Sequence, residues 1–248
     1  FPTRRSSDLY VGGESDKWVD AALEGSANPD RHVIDLMEVM QDSLREEELK
    51  EGMQPEDEEE DEDEDEEETE YDEHIWLSLT NAETACGAIT GELCSLDPEN
   101  ADYYRERNAE YTGDIADLYT DFAELSQSLP EEKKTLIFAD RFPFRYFTDE
   151  FGFDYYAAFA GCSAETEASF ETIAFLAQKA DELNADTIFA IEGTDHSVAD
   201  AVIRTSDDPD RTITVLDSIQ SVDAETAKTE TYLSLMRANY NTLKEALT

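Results

Sequence analysis

The side chains of this 248-residue chain best suited to holding a metal ion or moving a proton are three histidines, three cysteines and a large excess of carboxylates. Imidazole nitrogens ligate transition metals and exchange protons near neutral pH. His74 has the most suggestive setting, between a run of acids and an apolar segment containing Trp76, yet a lone histidine beside a charged loop is ordinarily a surface residue. His196 follows Asp195 in a loop and reads as a helix-start residue rather than a ligand; His32, just ahead of a strand, has a weaker claim. Asp217 closes an apolar strand, which suits either a carboxylate facing a cleft or a cap on the next helix. Cys86, Cys94 and Cys162 lie in no close ligand spacing, and their odd number cannot pair completely, so they read as buried thiols. Cys86 and Cys94 fall eight residues apart in one helical stretch, a rise of roughly 12 Å that no disulfide spans. The chain has no GxSxG, Walker A, GxGxxG, HExxH or EF-hand pattern, so nothing in it demands an enzyme.

Charge narrows the partners. With 63 acids against 18 basic residues the formal charge is −45, which repels phosphate backbones and anionic headgroups and excludes nucleic acid as a partner. The stretch from Glu56 to Glu73 holds 16 acids and no base. It offers nothing apolar to bury and repels itself, which predicts a disordered, solvated loop over 55–73 that gathers hard cations only weakly. Over the whole chain 40% apolar and 10% aromatic residues suffice for packed cores, and no stretch approaches the roughly 20 apolar residues of a membrane span.

Hydrophobic rhythm divides the rest. Residues 1–9 read as a non-native leader and are set aside. Over 10–54 the pattern predicts a partial α/β unit: a strand end, a glycine turn, a helix from Ser15 to Leu23, a short strand from His32 to Leu36, and helical character up to Gly52. A helix from Asn81 to Leu96 falls within 74–97. A longer one over 98–130 starts behind Asp97 and Pro98 and is striped by Tyr104, Tyr111, Ile115, Leu118, Phe122, Leu125 and Leu129. Pro130 ends it.

From 131 to 248 four short apolar runs alternate with helices: TLIFA with a helix near Phe144, DYYAAF with Ser169–Leu183, TIFAI with Val198–Arg204, and TITVL with Ala227–Leu247. That alternation predicts a parallel sheet with right-handed crossovers, and ligands of such sheets sit beyond the strand C-terminal ends. Asp140, Arg141, the 160–167 loop, Glu192 to His196, Asp217 and Ser218 fall there.

Several segments together resemble one family. YVGGESDKWVDAAL, YDEHIWLSLTNA, FADRFPFRYF, YYAAFAGCSAETEASFETI and TYLSLMRANYNTLKEAL look like the zinc-type substrate-binding lipoproteins of ABC importers, in the family's order and with a charged loop just before HIWLS. The resemblance implies two parallel-sheet α/β lobes bridged by the long helix, with a divalent metal ion held by side chains of both. It implies a monomeric extracytoplasmic lipoprotein, periplasmic or at the cell surface, that hands the ion to an ABC permease. His74 matches the histidine of the family's HIWL motif, and Asp217 matches the acid of its strand-ending Asp-Ser. Imidazole with carboxylate suits zinc, with manganese possible. Where many relatives carry a histidine or glutamate ahead of the FxYF-like segment, this chain has Asp140 and Arg141. An arginine cannot ligate a cation, so Asp140 or a residue of the CSAETE loop takes that place, with Glu192 a further strand-end donor. The family's first strands, with another histidine, are expected ahead of Tyr10, so the first lobe reads as incomplete. A metal-binding adhesin or scavenger on the same scaffold is the alternative, ahead of an α/β enzyme built on Asp140, Arg141, Glu192 and Asp217 or an acidic calcium buffer.

Overall fold

Parallel strands buried on both faces read as continuous apolar runs, and the second half of the chain is built from them. The structure, a computed structural model, describes residues 7–24, 28, 31–55, 70–163 and 167–248. Residues 1–6 of the expected leader, 56–69 of the expected acidic loop and 164–166 of the CSAETE loop lie outside the described residues. The chain divides into two compact units, 1–46 with 68–117 and 47–67 with 118–248.

In the first unit β1 (Ser7–Tyr10) pairs in parallel with β2 (His32–Asp35), and α1 (Trp18–Glu24) lies between them in sequence. Ser7 to Leu9, set aside above as leader, are thus strand residues, and Asp8 is held by Arg31 at 2.6 Å. After the short α2 (Leu36–Val39), capped by Asp35, the helical character expected up to Gly52 gives way to an irregular chain. Tertiary pairing overrides the local preference there: Glu46 bridges Tyr71, and the Arg45 carbonyl accepts from the Asp72 amide at 2.9 Å. α3 (Leu79–Leu96) begins two residues earlier than expected because Ser78 caps it, accepting from Asn81 N. α4 (Ala101–Ser128) follows a single turn of 3-10 helix behind Asp97 and contributes its first 17 residues to this unit and the rest to the second.

The second unit has a four-stranded parallel sheet, ordered β4 (Asp154–Ala160), β3 (Thr135–Phe142), β5 (Thr187–Ile191) and β6 (Thr212–Leu216). Leu136 to Asp140 and all of β5 are buried. Ile137, Ala139 and Ile188 pack with Leu176 and Ala180 of α6 (Phe170–Glu182) and Val202 of α7 (Ser197–Thr205). Phe138 and Phe189 stack on each other at 5.4 Å, and Phe138 also meets Phe144 ahead of α5 (Arg145–Phe151). Phe122 of α4 is fully buried against Phe147, Phe151 and Tyr240 of the last helix. The stripe foreseen on α4 is buried from Ile115 to Leu129, while Tyr104 and Tyr111 are half-buried. Each fully buried Leu or Phe contributes about 1.5–3 kcal/mol, so Leu118, Phe122, Leu125 and Leu129 anchor the second part of α4 in this unit.

Three local features depart from expectation. The single helix foreseen over Ala227–Leu247 is α8 (Thr226–Thr229) and α9 (Tyr232–Leu247), because Thr231 and Ser234 form a capping box that starts a new helix. The thiols are not uniformly buried: Cys86 and Cys94 are half-buried and Cys162 is exposed. In β3 the pairing with β4 slips between Phe138 and Arg141, a bulge that breaks the in-out alternation and lets consecutive residues border one cavity. Residues 47–54 cross to the free side of β4, where Gln54 N donates to Ala158 O at 2.9 Å and Lys50 pairs with Asp154 at 2.5 Å over the Tyr155 ring.

Candidate metal centre

His74 is the best-prepared donor in the first unit. Read from its neighbours alone it belonged on the surface, but it is only 4% exposed, because the HIWLS segment turns inward as a 3-10 turn with Ile75 and Leu77 fully buried. Asp72, itself 3% exposed, places Oδ1 at 2.8 Å from both the His74 amide and Nδ1. A carboxylate only accepts, so the ring proton sits on Nδ1 and the lone pair on Nε2, the form a metal takes. The glycine turn after β1 holds the dyad's neighbour: Glu73 accepts from Ser15 N at 2.9 Å. A Cβ on Gly13, at φ 80°, would lie 2.3 Å from Glu73 Oε1, so this position takes glycine. His32 pairs instead with Glu92 of α3.

The carboxylates foreseen in the second unit all stand at strand C-terminal ends, each with structural duties. Glu192, after β5, accepts from Ser218 N at 2.7 Å and Ser218 Oγ at 2.6 Å. Asp217, half-buried after β6, is clamped by Asn239 of α9, whose side chain donates to Asp217 O at 2.7 Å and accepts from Asp217 N at 2.8 Å. Its own Oδ1 accepts from Ile219 N at 2.7 Å, and Ile219 sits at φ 60°, a left-handed conformation that costs a β-branched residue energy. The backbone after Asp217 is therefore bent sharply, a feature no sequence pattern indicated. Asp140, 8% exposed, accepts from Arg141 N at 2.9 Å on one oxygen and from Thr194 Oγ1 at 2.9 Å on the other.

Sequence reasoning favoured a helix-start role for His196 over a ligand's. It begins α7 as foreseen, in a left-handed conformation with φ 58°, but its ring does more than start a helix. Nδ1 lies 3.0 Å from Thr194 Oγ1, the hydroxyl bonded to Asp140. The hydroxyl has one proton; spent on the carboxylate, it must accept from Nδ1, which again leaves the lone pair on Nε2. Beside it, the Ser197 amide and hydroxyl hold the Asp195 carboxyl below the usual carboxylate range. Only the short spacing Thr194-Asp195-His196 hinted at this, and Asp140 comes from a different strand. Burial, with Glu83 nearby, raises the Cys86 thiol, which keeps it protonated and a poor ligand. Among the described residues no three His, Cys, Asp or Glu side chains converge closely enough to hold a metal.

Two α/β units sharing one 28-residue helix define the class of two-lobed α/β binding proteins. The periplasmic zinc binding protein TroA from Treponema pallidum has this fold, with a TM-score of 0.73 at 25% identity, over 98% of this chain and 81% of that one. The sequence profile of zinc-uptake complex component A, periplasmic, matches residues 7–246, and the chain belongs to that family. The high-affinity zinc uptake system protein ZnuA of Bacillus subtilis is 31% identical over 81% of this chain and 61% of its own length. For the manganese-binding lipoprotein MntA of Bacillus subtilis the figures are 24%, 71% and 58%. The chain thus spans about three fifths of the length of the curated relatives it matches.

Proposed function

We propose that this chain is an extracytoplasmic solute-binding protein that captures a divalent metal ion, zinc first and manganese second, and presents it to an ABC permease. It is a carrier and not an enzyme. The observation that carries the reading is the buried Asp72–His74 pair, in which a carboxylate fixes the imidazole tautomer and leaves Nε2 as a metal donor. Both named functions among the curated relatives, zinc uptake and manganese binding, agree with it. Asp217 is the donor of the second unit, aimed by the Asn239 clamp and the Ile219 bend. Asp140 and Glu192 supply the remaining carboxylate oxygens; each retains lone pairs beyond the hydrogen bonds it accepts.

An imidazole with carboxylates suits zinc and tolerates manganese, whereas calcium prefers an all-oxygen shell. Metal and proton compete for the same Nε2 lone pair, so protonation, or the permease, releases the ion. Membrane anchoring through a lipid and a monomeric state complete the proposal; among the described residues no helix is long and apolar enough to cross a membrane. Calorimetric titration of zinc and manganese into the chain and its His74→Ala variant tests it. One tight site lost in His74→Ala supports the reading, and equal binding by both proteins refutes it.

A further inference from the structure

A partly buried charge without a counter-ion is costly to keep, and one stands beside the carboxylates of the second unit. Among the described residues every other arginine has a carboxylate partner or, for Arg45, donates to backbone carbonyls. The guanidinium of Arg141 has no hydrogen bond, ion pair or ring contact among the described residues. It is half-buried and borders a cavity of about 380 Å³ in the second unit, beyond the ends of β3 and β5.

Asp140, Glu167 and Asp195 line the same cavity, so the missing ion pair is not for want of acids. Asp140 gives one oxygen to its neighbour's amide, Arg141 N, at 2.9 Å and the other to Thr194 Oγ1 at 2.9 Å. Asp195 Oδ1 accepts from Ser197 N at 2.9 Å, and Glu167 is exposed. The two aspartates are thus aimed by partners of their own, and the guanidinium keeps its field. The β3 bulge places it there: in an unbroken strand the side chains of Asp140 and Arg141 leave opposite faces, whereas here both border the cavity.

Asp140 is one of the carboxylates assigned above to the ion, so a fixed positive charge stands next to a donor. The cavity holds that charge and not the ion. An arginine stays protonated throughout the working pH range, so the repulsion is permanent. A single charge roughly 6 Å from a divalent ion, screened as in water, weakens its binding about tenfold, and partial burial enlarges the effect. Elsewhere the chain, at a formal charge of −45, favours any cation. Beside this donor the sign is reversed.

We propose that Arg141 sets the affinity of the metal centre: its unpaired charge weakens the hold on the ion and speeds release. The inference rests on the metal-capture reading and adds the residue that limits how tightly the ion is kept. Calorimetric titration of zinc into the 248-residue chain and its Arg141→Lys, Arg141→Gln and Arg141→Leu variants tests it, with His74→Ala as the control. The two neutral variants, unlike each other in polarity, both bind zinc about tenfold more tightly, and zinc leaves them for a chelator more slowly by a similar factor. Arg141→Lys keeps the charge and stays near the parent affinity. A role in packing would not sort the variants by charge. Zinc binding by the neutral variants that equals the parent's or falls below it overturns the inference, as does an equal gain in Arg141→Lys; in either case loss of binding in His74→Ala leaves the capture reading standing. If His74→Ala binds zinc as the parent does, the capture reading falls and the inference with it.

Discussion

His74 and His196 present the same nitrogen by different means. In the first unit the carboxylate of Asp72 touches the ring directly, and both residues are almost wholly buried. In the second unit Asp140 acts through the Thr194 hydroxyl, and His196 is half-buried at the edge of a cavity. The direct pair is short, dry and fixed, since the same Asp72 oxygen also holds the His74 backbone. The relay is one atom longer and open to solvent, so its hold on the imidazole is weaker. A site that must bind an ion tightly favours the first arrangement.

Several changes break or sharpen that contrast. His74→Ala removes a donor outright and lowers zinc affinity by more than about 100-fold in calorimetry, beyond the range for losing an orienting partner. Asp72→Ala leaves the imidazole in place without its orienting partner and lowers zinc affinity by about 10- to 100-fold. Asn239→Ala unclamps the backbone of Asp217 and removes both partners of a half-buried amide and carbonyl, which reduces stability by about 1–3 kcal/mol in urea unfolding. Thr194→Val removes the hydroxyl that joins Asp140 to His196 and reduces stability by about 1 kcal/mol in urea unfolding, as for one lost hydrogen bond. Ile219→Gly relieves the left-handed strain beside Asp217 and raises the unfolding free energy by about 1 kcal/mol, while loosening the aim of that carboxylate. If Thr194→Val lowers zinc affinity as much as Asp72→Ala does, the direct and relayed arrangements do not differ in their hold on the imidazole.

Much of the fold was legible in periodicity. The β3 to β6 runs, α6 with its Ser169 cap, and the buried stripe of α4 follow from apolar spacing and capping residues, which act over a few neighbouring positions. The failures share one cause, competition from partners distant in sequence. Residues 47–52 gave a helical reading, but 47–54 lie along β4, tied by Gln54 to Ala158 and by Lys50 to Asp154. The last helix breaks at Thr231, although the capping box there is itself a local signal that the apolar spacing masked.

By itself the sequence determined the parallel α/β architecture, the strand ends at which Asp140, Glu192 and Asp217 stand, and, through the HIWLS resemblance, the importance of His74. Those are properties of spacing and of short motifs. Only the tertiary structure decided how each donor is presented. It buried His74 on Asp72, clamped Asp217 with Asn239 from α9, and joined His196 to Asp140 across two strands. Its β3 bulge left Arg141 unpartnered beside them. Tautomer, orientation and charge pairing depend on atoms within about 3 Å of one another, and residues far apart in sequence come that close only when the chain is folded.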